Sequence, residues 1–207
     1  MSKSTINICI PVFNEEKNIN KLYEDLKIKI LDLEKKYDMI LKIVFFDDGS
    51  SDNSRQILEK LENIELLYVD ENKGLGNAIR ELCMHSKETG VNGMFKVDGD
   101  GQMDLDDLNK FLENDMHKNK DVIYGNRFHK SSNYKMPLHR RFGSKIFKIF
   151  LKLFSIDISD PTNGFIYLSK KYLANSKIIG NYNAAQQILL DAKLRDLKID
   201  EVDINLK

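Results

Sequence analysis

The sequence has few cysteines and histidines and no long apolar run. It therefore gives no support for a disulfide framework, a zinc site or a membrane-spanning helix. Only two cysteines occur, Cys9 in a predicted buried strand and Cys83 in a predicted helix, so we expect reduced core thiols in a reducing compartment. The four histidines lack the spacing of zinc ligands, which argues against a zinc site. No uncharged apolar run reaches the roughly 18 residues of a membrane-spanning helix.

The chain also lacks an excess of charge of either sign. Thirty-two basic residues balance thirty-two acidic ones, which argues against a nucleic-acid binder. No Gly-rich loop ends in Gly-Lys-Ser or Gly-Lys-Thr, so a nucleotidyltransferase with a triphosphate loop gains no support. Residues 1–5 lead directly into a strand, and we therefore predict no signal peptide and a cytoplasmic protein.

What is present is an alternation of apolar strands with amphipathic helices. Strands are predicted over residues 6–12, 40–46, 64–69, 94–97 and 121–125. Helices lie between them, as in the first, where apolar residues recur at three- and four-residue steps from Ile19 to Leu33. This alternation predicts a single α/β domain of parallel βαβ units, with helices on both faces of the sheet.

The pattern changes after residue 125. A polar loop is followed by a predicted helix that starts at Pro137, then by a strand at 165–168, helices at 170–175 and 184–197 and a strand at 199–206. The helix after Pro137 mixes aromatic and aliphatic residues with lysines and arginines. Two interpretations stay open, a helix in peripheral contact with the cytoplasmic face of a membrane and a core-packing helix with solvated lysines.

Polar residues follow each of the first four predicted strands. Because the carboxyl ends of parallel strands meet at one edge of a sheet, we expect these residues to gather there, where open α/β sheets bind ligands. The residues are Asn14, Glu15, Asp47, Asp48, Asn72, Gly74, Asp98 and Asp100.

The turn after the fourth strand carries the most informative chemistry. Asp98 and Asp100 are separated by one glycine and followed by Gln102, so two carboxylates and an amide oxygen can converge on one hard divalent ion. Mg²⁺ or Mn²⁺ would keep positions open for phosphate oxygens, which indicates a diphosphate-bearing substrate. The alternative is a solvated turn in which Asp104 and Asp106 cap the next helix. We expect no cationic partner for these carboxylates among their sequence neighbours.

Five motifs are spaced along the chain. They are Ile10-Pro11-Val12-Phe13-Asn14-Glu15, Asp47-Asp48-Gly49-Ser50-Ser51-Asp52, Asn72-Lys73-Gly74-Leu75-Gly76-Asn77-Ala78, Asp98-Gly99-Asp100-Gly101-Gln102 and Gly125-Asn126-Arg127. With these motifs in this order, the chain resembles the family 2 glycosyltransferases over essentially its whole length, and within them the dolichol- and polyprenol-phosphate sugar synthases. The resemblance implies a GT-A fold, a nucleotide-diphosphate-sugar donor, a divalent metal and inversion at the anomeric carbon.

The resemblance also implies roles for residues on the donor side. By analogy with the family, Pro11, Phe13, Glu15 and Asp47 line the nucleoside pocket, and Asp48 helps to shape it. Carboxylates suit this role because they accept hydrogen bonds from base N–H groups and ribose hydroxyls. The alternative for Asp47 is a residue that only stabilises its turn.

The remaining donor-side residues belong to the glycine turn and the acidic turn. Gly74 lets the backbone approach a ligand closely, because it has no side chain. By the same analogy, Asp98, Asp100 and Gln102 are the metal-side residues, and Asp100 is expected to be essential for catalysis.

On the acceptor side, the resemblance points to arginines and one acid. Arg127 matches the arginine of the family's Gly-x-Arg segment, and Arg140 or Arg141 matches a basic position that meets the acceptor phosphate, as guanidinium groups do well. Surface solubility is the alternative for one of that adjacent pair. Asp160 is a candidate base for a hydroxyl acceptor, whereas with an already ionised lipid phosphate it would orient an arginine or only form a turn.

Two departures from the family pattern bear on function. Ile166 stands where many relatives carry an arginine, and the chain ends at Lys207, before the basic lid loop of those relatives. We therefore keep two hypotheses. The first is a metal-dependent inverting glycosyltransferase that moves a hexose from a UDP- or GDP-linked sugar to a lipid-phosphate or saccharide acceptor, with a polyprenyl phosphate as the favoured acceptor. In this hypothesis, residues 1–125 form the nucleotide-sugar half and residues 126–207 the acceptor half. The second is a non-catalytic sugar-nucleotide-binding or partner-scaffold protein.

Overall fold

The structure, a computed structural model, describes residues 3–128 and 147–206. Within these residues, seven strands form one sheet in the order β3-β2-β1-β4-β6-β5-β7. The strands are β1 Ser4–Val12, β2 Met39–Asp48, β3 Ile64–Val69, β4 Gly93–Lys96, β5 Val122–Asn126, β6 Ile166–Ser169 and β7 Ile199–Asp203. Each of them overlaps a strand that the apolar runs predict.

The helices also follow the predicted periodicity. They are α1 Ile19–Tyr37, α2 Ser54–Leu58, α3 Leu75–Glu88, α4 Leu108–Lys118, α5 with its described part at 147–153, α6 Lys170–Ala174 and α7 Ala184–Leu194. A short 3-10 helix, Leu105–Asp107, precedes α4, and its Asp104 cap accepts a hydrogen bond from the Asp106 backbone at 3.1 Å. Of the two residues that the alternative interpretation of the acidic turn named as helix caps, Asp104 thus has that role.

The sheet is mostly parallel, as predicted. β1 pairs in parallel with β2 and β4, β2 with β3, and β5 with β7. The exception is β6, which lies between β4 and β5 and runs antiparallel to both. Its first residue, Ile166, pairs with Lys96, the last residue of β4, so the loop that enters β6 lies at the carboxyl edge of the sheet.

Two hydrophobic cores cover the opposite faces of this sheet. One joins alternate residues of β1, such as Ile8, to α1 and α4. The other joins the residues between them, such as Cys9, to α3 and α7. Both cysteines are buried and free, as expected. Full burial of one large aliphatic or aromatic side chain contributes about 1.5–3 kcal/mol, so the two cores orient the helices and hold the strand ends in place.

The described part of α5 packs on a core through one fully buried side chain, and its contact with a membrane stays a prediction. Leu151 is fully buried in a core, whereas Ile149, Phe150, Leu153 and Phe154 are 43–78% exposed. The predicted start of the helix at Pro137 lies outside the described residues. Over residues 3–128 and 147–206, no helix is both long and apolar enough to cross a membrane.

Candidate active site

A cleft of about 370 Å³ opens at the carboxyl edge of the sheet. The loops after β1, β3 and β4 contribute to it, as does the last residue of β2, which confirms that polar residues of separate strand ends gather at one place. Its lining consists of Pro11, Val12, Phe13, Glu15, Asp48, Asn72, Gly74, Leu75, Ala78, Asp98, Gly99 and Asp100. Most of the donor-side residues that the sequence singles out are in this set.

The loop after β1 is held in place by hydrogen bonds to the loop after β2. Asn14 adopts a left-handed backbone conformation, with φ of 58°, and its side-chain oxygen accepts a hydrogen bond from the Ser51 backbone at 2.8 Å. The Glu15 backbone donates to Ser54 Oγ at 2.8 Å, and its carboxylate accepts from Asn18 Nδ2 at 2.6 Å. These contacts hold the Glu15 side chain at the wall of the cleft.

The two adjacent aspartates at the end of β2 have different environments. Asp48 lines the cleft and accepts backbone hydrogen bonds from Lys73 at 3.1 Å and from Gly74 at 2.8 Å, so it fixes the glycine turn. Asp47 is fully buried and binds Arg55 Nε at 2.8 Å. Asp47 is not among the described residues that line the cleft, and its contact with a nucleoside stays a prediction.

The glycines of the turn before α3 serve two purposes. Gly74 has φ of 90°, a conformation that a side chain disfavours, and it lines the cleft. Gly76 is buried against a loop, where its N–H donates to the Asn181 carbonyl at 2.9 Å and an added Cβ would collide with the Gly180 carbonyl. Gly76 therefore allows close packing of α3 against the loop at Gly180 and Asn181, not the approach of a ligand.

Both carboxylates of the acidic turn line the cleft, but they have different partners. Asp100 accepts a hydrogen bond from the Gln102 backbone at 3.0 Å, and the Gln102 side chain is exposed. Asp98 forms an ion pair with Lys96, which is almost completely buried. The expectation that these carboxylates have no cationic partner is therefore wrong. Side chains two positions apart in an extended chain point to the same side, which brings Lys96 to Asp98.

The donor set of this turn suits a hard divalent cation that keeps several water or phosphate ligands. Asp98 and Asp100 supply carboxylate oxygens, which Mg²⁺ and Mn²⁺ prefer. In the part of the chain that the structure describes, no group of three or more His, Cys, Asp or Glu residues could hold a metal ion alone. A cation at this turn would therefore take some of its ligands from the protein and the others from a bound phosphate or from water. The residues fit such a shared ion better than an ion that protein ligands enclose completely.

A second pair of charged residues lies on the acceptor side. The Arg127 side chain binds the fully buried Asp160 through two hydrogen bonds, Nε to Oδ2 at 2.6 Å and Nη2 to Oδ1 at 2.9 Å. Thr162 Oγ1 also donates to Asp160 Oδ1 at 3.1 Å. Three roles were considered for Asp160: a base, a residue that orients an arginine, and a turn residue. The contact with Arg127 is the one that the second role requires. Arg140 and Arg141 lie outside the described residues.

The comparison with known families agrees with this geometry. The model of the family "Glycosyl transferase family 2" matches residues 7–176, from β1 to just past α6. The chain is a family 2 glycosyltransferase. The match includes the cleft residues of all four strand ends, the Lys96–Asp98 pair and the Arg127–Asp160 pair.

Several curated relatives of this family 2 glycosyltransferase carry names of dolichyl-phosphate sugar transferases. The UDP-N-acetylglucosamine–dolichyl-phosphate N-acetylglucosaminyltransferase of Methanococcus voltae is 28% identical over 226 residues, which cover 99% of this chain and 86% of that protein. The dolichyl-phosphate beta-glucosyltransferase ALG5D of Trichomonas vaginalis is 27% identical over 96% of this chain. The chain matches 64% of the length of that second relative.

A solved structure has the same fold. Glucosyl-3-phosphoglycerate synthase of Mycobacterium tuberculosis, crystallised with Mn²⁺, uridine diphosphate and glucosyl-3-phosphoglycerate, superposes with a TM-score of 0.70. The alignment covers 98% of this chain and 70% of that one at 16% identity. The family 2 glycosyltransferase described here thus has the GT-A fold that the resemblance implies.

Proposed function

We propose that this family 2 glycosyltransferase moves one hexose, with inversion, from a UDP- or GDP-linked sugar to a polyprenyl phosphate. The observation that carries the proposal is that Glu15, Asp48, Asp98 and Asp100, from three strand ends, line one cleft. The names of the curated relatives support a lipid-phosphate acceptor. In this proposal, residues 1–125 bind the donor and residues 126–207 bind the acceptor, within a single catalytic domain.

The donor side of the cleft offers both apolar and acidic contacts. Pro11 and Phe13, whose side chain is 47% exposed, provide a surface for the base, and Glu15 accepts hydrogen bonds from base or ribose. Asp48 acts indirectly, since its two oxygens hold the turn that presents Gly74. Asp47 is proposed as a further nucleoside residue that its ion pair with Arg55 orients.

The acidic turn is proposed as the binding place of the donor diphosphate. Asp98, Asp100 and Gln102 would hold Mg²⁺ or Mn²⁺ there, and the bound ion would stabilise the charge that develops on the leaving diphosphate. The Mn²⁺ and uridine diphosphate bound to the solved structural neighbour are consistent with this assignment. Asp100 is the carboxylate whose loss should affect this function most, because Asp98 is also engaged by Lys96.

On the acceptor side, Arg127 would bind the lipid phosphate together with Arg140 or Arg141. A phosphate oxygen that is already ionised needs no base to attack the anomeric carbon, so the chain only has to position it. Asp160 is fully buried and holds Arg127 through two hydrogen bonds. We therefore assign Asp160 the role of orienting Arg127 and not that of a base.

A lipid acceptor requires that the protein reach a membrane surface. The exposed apolar side chains of α5, among them Phe150 and Leu153, stand next to Lys148 and Lys152. Apolar residues flanked by lysines suit the interface of an anionic membrane, so we propose peripheral contact there. Co-sedimentation with anionic vesicles should weaken as the salt concentration rises, and retention that is independent of salt and of anionic lipid would contradict it.

The function can be tested with one set of donors and acceptors. A thermal-shift panel of UDP- and GDP-linked hexoses, each with and without Mn²⁺, should show a rise in melting temperature for one donor that depends on the metal. That donor is then supplied with polyprenyl phosphate, and we expect a glycosylated lipid as the product. Metal-dependent binding without transfer to lipid or saccharide would favour a non-catalytic binding protein. No shift with any donor would refute the proposal.

A further inference from the structure

A buried lysine lies directly beside the acidic turn of the cleft. Lys96 is the last residue of β4, its side chain is 2% exposed, and its ammonium group binds Oδ1 of Asp98. Asp98 keeps 35% of its side chain exposed and lines the cleft. An ammonium is expensive to bury, and an apolar residue would fill this strand position at lower cost. Stability alone therefore does not explain why a lysine pairs with Asp98 at this position.

The segment that leads into β6 is shaped to accommodate this pair. A Cβ built on Gly164 would collide with both Lys96 Nζ and Asp98 Oδ2. Gly164 follows directly on the turn that places Asp160 against Arg127, so the acceptor-side loop covers the Lys96–Asp98 pair. The pair is enclosed by backbone on that side, while the Asp98 carboxylate still reaches the cleft.

We propose that Lys96 is a positioning residue for Asp98 and a counter-charge of the candidate metal site. Two carboxylates, Asp98 and Asp100, would together cancel the charge of a divalent cation. With the Lys96 ammonium included, site and cation keep one net positive charge, which remains available to a diphosphate. The inference rests on the proposed function, because it concerns how the acidic turn binds a cation for the donor.

The two consequences of removing Lys96 have opposite signs. The lost ammonium no longer repels a cation bound at the cleft, so Mn²⁺ should bind more tightly. Asp98 also loses its anchor, but a short side chain has little conformational entropy to regain, so this opposing effect is smaller. The net positive charge at the diphosphate is lost, so the leaving group is less well stabilised and turnover should fall.

Lys96→Met tests this inference because methionine has a similar length without the charge. Mn²⁺ alone is titrated into the protein and free Mn²⁺ is followed by electron paramagnetic resonance; kcat is measured separately with the donor. We expect Mn²⁺ binding to tighten at least fivefold and kcat to fall at least tenfold. Lys193→Met, at an exposed position of α7, should change neither quantity. A purely structural role of Lys96 would instead weaken Mn²⁺ binding and lower the melting temperature.

A second pair of variants adds a measurement that needs no metal, the melting temperature. Asp98→Asn leaves a buried ammonium without its counter-charge, so the melting temperature should fall and Mn²⁺ binding should weaken at least tenfold. Adding Lys96→Met to Asp98→Asn should restore most of the melting temperature. No restoration, or unchanged or weaker Mn²⁺ binding by Lys96→Met alone, would overturn this inference and leave the proposed function intact. A wild-type protein that binds no Mn²⁺, either alone or together with any of the UDP- and GDP-linked sugars, would overturn both the inference and the proposed function.

Discussion

The Arg127–Asp160 ion pair provides a quantitative test of how the acceptor side is organised. Asp160 is fully buried, and the Arg127 side chain is 15% exposed. Removing one partner of a buried pair leaves an uncompensated charge, which costs about 3–5 kcal/mol. Arg127→Met should therefore lower the free energy of unfolding by about that amount, equivalent to about 6–20 °C in melting temperature for a domain of this size.

Replacing the other partner, Asp160, should lower the free energy of unfolding by less. In Asp160→Asn the amide oxygen still accepts one guanidinium N–H, and Arg127 keeps some contact with water, so we expect a loss of about 1–3 kcal/mol. The double variant contains neither charge and should be more stable than Arg127→Met alone. The cycle should thus yield a coupling energy of about 1–3 kcal/mol between the two positions.

Urea unfolding followed by circular dichroism provides the measurement, with the slope of the transition checked for each variant. Lys152→Met is the matched control, because it removes an exposed ion pair with Asp157 at 3.8 Å, whose loss should cost no more than about 1 kcal/mol. Turnover is measured in parallel. Since Asp160 acts through Arg127, the two single variants should lose similar activity and the double variant little more.

Two results would refute this reasoning. Strictly additive losses of stability would mean that Arg127 and Asp160 do not interact in solution. A large loss of turnover in Asp160→Asn, with full turnover in Arg127→Met, would identify Asp160 as a base and not as the residue that orients the arginine.

Four further outcomes are expected. Asp100→Ala should reduce Mn²⁺-dependent transfer by about 100-fold or more, whereas Asp104→Ala, which only caps the 3-10 helix, should change it little; equal losses would contradict a metal role for Asp100. Gly76→Ala should destabilise the protein by about 1–3 kcal/mol in thermal unfolding, because its Cβ meets a backbone carbonyl, and an unchanged melting temperature would contradict this packing. Burial raises the pKa of Cys9 to about 12 and also raises that of Cys83, so at pH 8 both thiols should react with Ellman's reagent only after unfolding. The raised pKa values also mean that stability should fall as the pH rises above 9.0, where the unfolded thiols ionise. Rapid labelling of the folded protein would contradict the burial of both thiols.

The order and type of the main elements could be read from the sequence. Helical spacing from Ile19 to Leu33 predicts α1, whose buried face consists of these apolar residues. The apolar runs likewise predict β1 and β2. These patterns can be recognised in the sequence because they depend on local backbone geometry. Side chains return to the same face every 3.6 residues in a helix and every two residues in a strand. The polar strand ends then predict one ligand edge, since parallel strands share their direction.

The details of the site could not be read in the same way. The first four strands pair in parallel, yet β6 enters the sheet between β4 and β5, and nothing local in residues 166–169 indicates this neighbour or its opposite direction. Strand order depends on contacts between distant segments. Only that order brings Gly164 beside Asp98.

The pairing of charges was decided by the tertiary structure as well. Asp47 and Asp48 are adjacent, but one is buried against Arg55 and the other faces the cleft, because neighbouring side chains in a strand point to opposite faces. Arg127 and Asp160 stand 33 residues apart and meet only in the folded chain. The amino-acid sequence alone thus determined the elements, the family and the residue types of the site. Which carboxylate lines the cleft and which one forms an ion pair with a basic side chain was decided by long-range packing, because ion pairs form between groups that are close in space, whatever their separation in the chain.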